Sequence, residues 1–365
     1  MPYIKRIKIQ NLRNLTDIAL ELSPSVNIFF GNNGSGKTTF LEAITLLGLG
    51  RSFRTHKSKN IIQYDHDALT VFGELNVESN KSIRLGIQKD KKGDKSIKID
   101  GVNVYSSSLL AKNFPLQLIN AKSFQLLEGS PRQRCQFLDW MVFHVKPDFM
   151  QSWILLQKVI KHRNSILRRD KIDYEELLSW DKEFIRLAEL LHHLRYEVFT
   201  DFKERFAQLV EPINQGDSLE LDYYRGWNSE KTFEEVLKET LNKDCQLRYT
   251  QNGPHRSDLK IKINNRDAID VLSRGQEKSL ICRLHIGQSK YYQSKLKKNC
   301  AFLIDDMLSE LDIDHQISLV NHLDNLNDQV FVTGVDKEEL FNIWRLVDRD
   351  IAMFHVKHGN ITRVN

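Results

Sequence analysis

The sequence predicts an α/β protein carrying a long, mainly helical insertion, and three observations predict it. Val26-Asn27-Ile28-Phe29-Phe30 leads through a glycine-rich turn into Thr39-Phe40-Leu41-Glu42-Ala43-Ile44, the strand–turn–helix order that builds a parallel sheet. Ala301–Ile304 and Gln329–Thr333 are two further short apolar runs, the pattern of strands buried on both faces. Between the first segment and these two runs, from about 132 to 212, the apolar period becomes helical.

Taken in order, Ile7 and Ile9 alternate, as do Ile18, Leu20 and Leu22, with Asn11–Asn14 as the turn between two early strands. After the first helix, residues 69 to 105 hold short alternating runs such as Ile97-x-Ile99 and Val102-x-Val104. Among them, Lys89–Lys95 mixes both signs of charge and reads as a solvated hairpin turn. Leu177, Trp180, Phe184, Leu187, Leu191, Leu194 and Val198 then fall at alternating spacings of three and four, a helical seam. Trp153, Leu156, Ile160 and Leu167 offer a partner stripe that Arg163 interrupts, with Arg168–Lys171 as a polar tip. An antiparallel helical pair is expected, either projecting or packed as an ordinary subdomain. Leu259, Ile261 and Ile263 return to strand alternation, and a helix follows from about Gln276.

Hydrophobic residues make up 41% of the 365-residue chain, enough for a sizeable core, which excludes wholesale disorder. A net charge of +5 is compatible with a nucleic-acid partner without demanding one. The cysteines at 135, 245, 282 and 300 form no CxxC pair, which argues against a zinc site or a disulfide framework. Met1–Arg6 lacks the apolar core of a signal peptide, and no apolar run nears the roughly 18 residues of a membrane span. A cytoplasmic location and no membrane partner are expected.

The chemistry concentrates in three segments. Gly31-Asn32-Asn33-Gly34-Ser35-Gly36-Lys37-Thr38 is a full GxxxxGK[ST] match in its proper strand–helix context. Its glycines let backbone N–H groups turn toward phosphate oxygens at a helix N-terminus. Lys37 adds a positive charge, Thr38 a hydroxyl for Mg²⁺, and Thr39 follows inside the helix. The second segment is Asp305-Asp306, which ends an apolar strand; Asp305 suits the metal and Asp306 a general base for water. In the third, Ser273-Arg274-Gly275-Gln276 enters a helix. It is either a plain capping box or a donor set for a further anion.

P-loop, long insertion, Ser-x-Gly-Gln, Asp-Asp and then Ser309-Glu310-Leu311-Asp312 is an order that resembles the ABC-type ATPase head. There, each nucleotide lies between one subunit's P-loop and its partner's signature helix. The span from Lys37 to Ser273 is too short for the coiled coils of SMC-like proteins. It is similar to the compact arm of the RecF family of bacterial recombination-mediator ATPases. Asn11-Leu12-Arg13-Asn14, Gly50-Arg51-Ser52-Phe53-Arg54, Gly129-Ser130-Pro131 with Phe137-Leu138-Asp139, and Gly253–Leu259 extend the likeness from about residue 7 to 335.

The resemblance implies ATP and Mg²⁺ as ligands, Arg13 reaching the phosphates, and Ser273 and Gly275 capping the γ-phosphate across an ATP-driven homodimer. Asp312 would belong to the dimer-contacting loop. It further implies single-stranded, gapped or junction DNA as partner, slow hydrolysis, and cooperation with RecO and RecR in RecA loading and SOS induction. The expected division is an ATPase head over 1–130 and 241–365, with an arm over 131–240. Arg51, Arg54, His255 and Arg256 are weighed equally between structural and nucleotide- or DNA-linked roles. Three departures stand out: Asp306 where many ABC ATPases carry Glu, a lobe-linking Gln left open among Gln117, Asn120 and Gln125, and Thr333 where a switch His is usual. The alternative function is a transporter-type ABC ATPase subunit with a membrane permease partner. A nucleotide-gated scaffold with negligible turnover differs from the first reading only in rate.

Overall fold

The computed structural model describes residues 3–78, 81–214, 216–306 and 311–364. The chain divides into two units, Met1–Ser123 with Cys282–Asn365, and Phe124–Ile281.

In the first unit, a six-stranded sheet runs Asn360–Val364, Ile351–Lys357, Val26–Phe30, Gln329–Gly334, Ala301–Ile304, Leu116–Ile119. The inner pairings are parallel, and only the Asn360–Val364 edge strand is antiparallel. Parallel strands need apolar cover on both faces, which explains the near-continuous runs: Ala301–Ile304 and Gln329–Gly334 are buried at every residue. A second, antiparallel six-stranded sheet runs Leu15–Glu21, Tyr3–Leu12, Ala68–Glu78, Lys81–Asp90, Lys95–Ile99, Val102–Val104. Its strands bury one face, as Ile4, Ile7 and Ile9 show.

The helix Lys37–Leu49 has apolar residues on all sides and a small amphipathic bias, as befits an element covered all round. Phe40 stacks on Phe29 at 4.1 Å between centroids, and Phe29 stacks in turn on Phe354 at 4.7 Å. Leu47 meets Gly73 of the antiparallel sheet so closely that a Cβ there would lie 2.7 Å from Leu47 Cδ1. Each fully buried Phe or Leu contributes roughly 1.5–3 kcal/mol, so this helix is held firmly. The Ile351–Lys357 and Asn360–Val364 hairpin, which the sequence reading passed over, supplies Phe354 and Val356 to the same core.

The second unit is built on Phe149–Leu167 and Tyr174–Leu209, packed as the expected helical pair. Every seam residue from Leu177 to Val198 is buried except Trp180, which is half-buried. The pair does not stand alone. Helices Pro131–Val145 and Phe233–Leu247 and the strand Leu219–Tyr224 all pack on the longer helix. Arg163, read as an interruption of the stripe, is fully buried and bonds to Asp181 and Asp244.

The inserted unit runs to Ile281, beyond the expected boundary near 240. The reason is a strand pairing between Leu219–Tyr224 and Asp258–Ile263. Arg134 adds a two-pronged bond from the Pro131–Val145 helix, with Nε and Nη2 at 2.8 and 2.9 Å from the Asp258 carboxylate. These bonds draw residues 258–263 into the helical unit. The following helix, Arg274–Leu296, carries the division within its length.

Candidate nucleotide site

The strand Val26–Phe30 ends at Gly31, and the helix begins at Lys37. In the connecting loop, Gly31, Gly34 and Gly36 adopt φ values of +148°, +77° and +124°. At Gly31 the need is steric as well, because a Cβ would lie 2.2 Å from the Val356 carbonyl oxygen. The Ser35 hydroxyl is buried without a partner among the described residues. An unpaired buried hydroxyl beside inward-turned backbone is what a phosphate cradle leaves for its ligand. Lys37 is 4% exposed, and its Nζ donates to the carbonyls of Gly31 at 2.7 Å and Asn32 at 3.2 Å. Those bonds hold the ammonium over the loop. Thr39 is buried in the first turn of the helix.

Parallel pairing brings Asp305, at the end of the Ala301–Ile304 strand, to the mouth of the same loop. The Thr38 hydroxyl donates to Asp305 Oδ1 at 2.9 Å, and the Thr333 hydroxyl donates to that oxygen at 2.9 Å. Burial raises the Asp305 pKa, and the two hydroxyl bonds counter it. Asp306 turns into the left-handed region at φ +52°, and its N–H donates to Thr333 Oγ1 at 3.0 Å. Thr333 is therefore the hinge of the acidic pair, a stronger placement than its position at a strand end suggests.

The oxygen donors fit Mg²⁺. Thr38 and Asp305 offer one hydroxyl and one carboxylate at hydrogen-bond separation. No group of three His, Cys, Asp or Glu suited to a metal exists among the described residues. Mg²⁺ is ordinarily held by one or two carboxylates plus ligand phosphates and water, not by an all-protein cage.

Three supports of the loop escaped the sequence reading. Asn14 Nδ2 and the Gly359 N–H both donate to the Ser35 carbonyl, each at 2.9 Å. Gly359, at φ +78°, sits so close that a Cβ would fall 1.9 Å from the Asn14 carbonyl oxygen. Gly359→Ala is expected to displace this brace and weaken nucleotide binding about tenfold, roughly 1.4 kcal/mol, with the fold intact by circular dichroism. The third support is Glu42, which is fully buried. It accepts from Arg13 Nε at 2.6 Å and Nη2 at 3.0 Å, and from the Ser52 hydroxyl. Arg54 lies 3.9 Å from the same carboxylate. Arg13 is thus committed to the P-loop helix, where the resemblance implied phosphates. A Glu inside an apolar helical run was the one available signal.

The remaining sequence-predicted residues are placed as follows. In the second unit, Ser273 is exposed and forms the capping box: its N–H donates to Gln276 Oε1 at 3.0 Å, and the Gln276 N–H to Ser273 Oγ at 3.4 Å. Arg274 pairs with Glu128 and Glu277, and Gly275 has open space where a side chain would stand. In the first unit, Asp312 caps the helix Ile313–Asp324 through the His315 N–H at 2.9 Å, a bond that lowers its pKa. Ser309 and Glu310 lie outside the described residues. Gln117 is buried on His285, Asn120 accepts from the Lys122 N–H, and Gln125 accepts from Gln133. His255 is held near pKa 4 by burial, as a packed ring would be. Arg256 lies over Tyr249, and Arg51 is exposed.

Comparison with known proteins sets this geometry in a family. The profile of the RecF/RecN/SMC N terminal domain matches residues 3–362. A Cellvibrio japonicus protein named DNA replication and repair protein RecF is 43% identical over 361 residues, covering 98% of this chain and 99% of the relative. A Pseudomonas syringae pv. tomato protein of the same name is 42% identical, with 99% and 98% covered. The fold is similar to a solved structure of the recombination mediator protein RecF-ATPrS, at TM-score 0.88 and 23% identity, with 100% and 98% covered. It is more distantly similar to a Pyrococcus furiosus Smc head domain, at TM-score 0.59 and 14% identity, with 100% and 96% covered. From the match along nearly its whole length, the chain belongs to the RecF family.

Proposed function

We propose that this protein is an ATP-dependent DNA-binding protein of recombinational repair and replication restart. The observation that carries the reading is the convergence of Thr38, Thr333 and the two acids beside a glycine loop with an unpaired Ser35 hydroxyl. The loop N–H groups and Lys37 bind the β- and γ-phosphates, and Thr38 with Asp305 holds Mg²⁺. When bound, Mg²⁺ offsets charge on the phosphates. Asp306, fixed through Thr333, orients a water. As a shorter acid than Glu, it supports slow turnover.

Ser273 and Gly275 serve a second copy of the chain, capping its γ-phosphate, so that ATP drives head-to-head dimerisation. An exposed Ser273 with open space over Gly275 supports that role. Association driven by nucleotide contacts is a switch that hydrolysis reverses. The dimer then holds single-stranded, gapped or junction DNA and cooperates with RecR and RecO in RecA loading and SOS induction. A cytoplasmic location follows from those partners. Among the described residues no helix is long and apolar enough to cross a membrane. Full-length likeness to RecF proteins gives the transporter-type alternative no support.

Sedimentation with ATP and Mg²⁺, with and without gapped duplex, tests the reading. The wild type is expected to pass from monomer to dimer with ATP and to bind DNA more tightly in that state. Ser273→Arg should bind ATP as a monomer yet lose the dimer, because a long cation replaces the small donor on an exposed face. Undisturbed dimerisation in that variant would return Ser273 to a plain helix cap.

A further inference from the structure

A basic cleft in the first unit carries an assignment of its own, and it rests on the DNA-binding reading above. The helix Lys37–Leu49 ends at Gly50 in the left-handed conformation, and the chain beyond it forms one wall of a cleft of about 510 Å³. Arg51, Lys57 and Lys59 line this wall, and Lys89, Lys92 and Lys95 line the other, from the hairpin of strands Lys81–Asp90 and Lys95–Ile99.

Among the described residues, the acids nearby form an ion pair with Lys91 and with none of these six cations. Asp90 accepts from the N–H groups of Gly93 and Asp94 at 2.9 Å each, so its carboxylate shapes the turn. Asp67 stands 3.8 Å from Lys91, which also donates to the Tyr64 carbonyl, and that lysine is answered. Arg51, Lys57, Lys59, Lys89 and Lys92 have no ion pair among the described residues, and Lys95 bonds only to the neutral Ser107 hydroxyl. Lys89 is half-buried, and burial first, with Lys95 adding to it, lowers its pKa. A concave cluster of uncompensated cations focuses its field on an anion.

The kind of anion follows from the lining. Among the described residues the cleft is lined by His56 but by no Phe, Tyr or Trp, so it offers bases little to stack on. The helix end nearby is a C-terminus, whose partial charge repels anions, so attraction comes from side chains alone. Cations on two separate chain segments suit a row of phosphates better than a single one. We propose that this cleft binds the phosphate backbone of DNA without reading its sequence. It lies at the opposite end of the P-loop helix from Lys37, about 20 Å along a helix of this length, so strand and nucleotide bind without competing.

Lys57→Glu/Lys59→Glu/Lys92→Glu tests the site, since all three side chains are exposed. Fluorescence anisotropy with a tailed DNA duplex, in ATP and Mg²⁺ across a salt series, reads binding; a fluorescent ATP analogue reads the nucleotide site. The triple variant should bind DNA at least about tenfold more weakly, with a log–log salt slope shallower by about 2 to 3, while nucleotide affinity holds. Lys57→Arg/Lys59→Arg/Lys92→Arg should bind as the wild type does, which separates charge from misfolding. Wild-type affinity and slope in the Glu variant would overturn the cleft and leave the DNA-repair reading standing. A wild-type protein that binds no DNA with ATP would overturn both.

Discussion

Lys37→Ala is expected to lower ATP affinity by at least about a hundredfold, near 3 kcal/mol. In titration calorimetry the binding heat should fall to background at concentrations that saturate the wild type. Lys37 Nζ is held over the loop by the Gly31 and Asn32 carbonyls. When phosphate arrives, the ammonium exchanges those neutral acceptors for anionic oxygens, and charge-assisted bonds are the stronger kind. The alanine removes that gain. The ATP-induced rise in melting temperature should vanish in parallel, because ligand stabilisation follows occupancy. Lys37→Arg is not a rescue: Lys37 is buried and meets its carbonyls as a compact cation, and a planar fork does not fit the same space. Intact nucleotide affinity in Lys37→Ala would remove the P-loop assignment, and the dimerisation scheme with it.

How much of this was legible beforehand depended on whether the cause of each feature was local. The strand–turn–helix at 26–49 was readable because a short apolar run, glycines and a helical pattern follow one another in sequence. Asp305 was readable once the P-loop was, since a parallel strand must end on the same edge. The brace of the loop was not: Gly359 meets Ser35 and Asn14 only after Ile351–Lys357 has paired with Val26–Phe30, and nothing near Gly359 announces that meeting. Charge was legible in one place and not in another. Lys89–Lys95 read as a solvated hairpin turn and is one, exposed between the paired strands Lys81–Asp90 and Lys95–Ile99, because the cause lies within the segment itself. Arg163 read as a break in an apolar stripe because its partners, Asp181 and Asp244, lie on two other helices.

Those partners make Arg163 a residue of the second unit whose loss should cost heavily in stability. Its Nε donates to Asp181 at 2.7 Å, and Nη1 donates to Asp244 at 2.7 Å and to the Thr250 hydroxyl at 2.9 Å. The guanidinium is fully buried, Asp244 is fully buried, and Asp181 is 7% exposed. One cation thereby joins helices Phe149–Leu167, Tyr174–Leu209 and Phe233–Leu247. Arg163→Met keeps much of the volume but strands two carboxylates in the interior, and breaking a buried pair in this way costs about 3–5 kcal/mol. Chemical denaturation should show that loss at neutral pH. Burial already raises the Asp181 pKa against the pull of Arg163, so removing the cation raises it further. A folded-state pKa above the unfolded value means that the native variant binds more protons than the unfolded chain. Its deficit should therefore shrink as pH falls from neutral toward the ordinary carboxylate range, opposite in sign to the loss of a paired carboxylate. Arg163→Met/Asp181→Leu/Asp244→Asn removes the stranded charges while keeping an acceptor for the Gln251 N–H that Asp244 now receives at 3.0 Å. It should recover most of the stability. A single variant as stable as the wild type, or a deficit that grows on acidification, would mean that water reaches the cluster and that the three helices are held by their apolar seam alone.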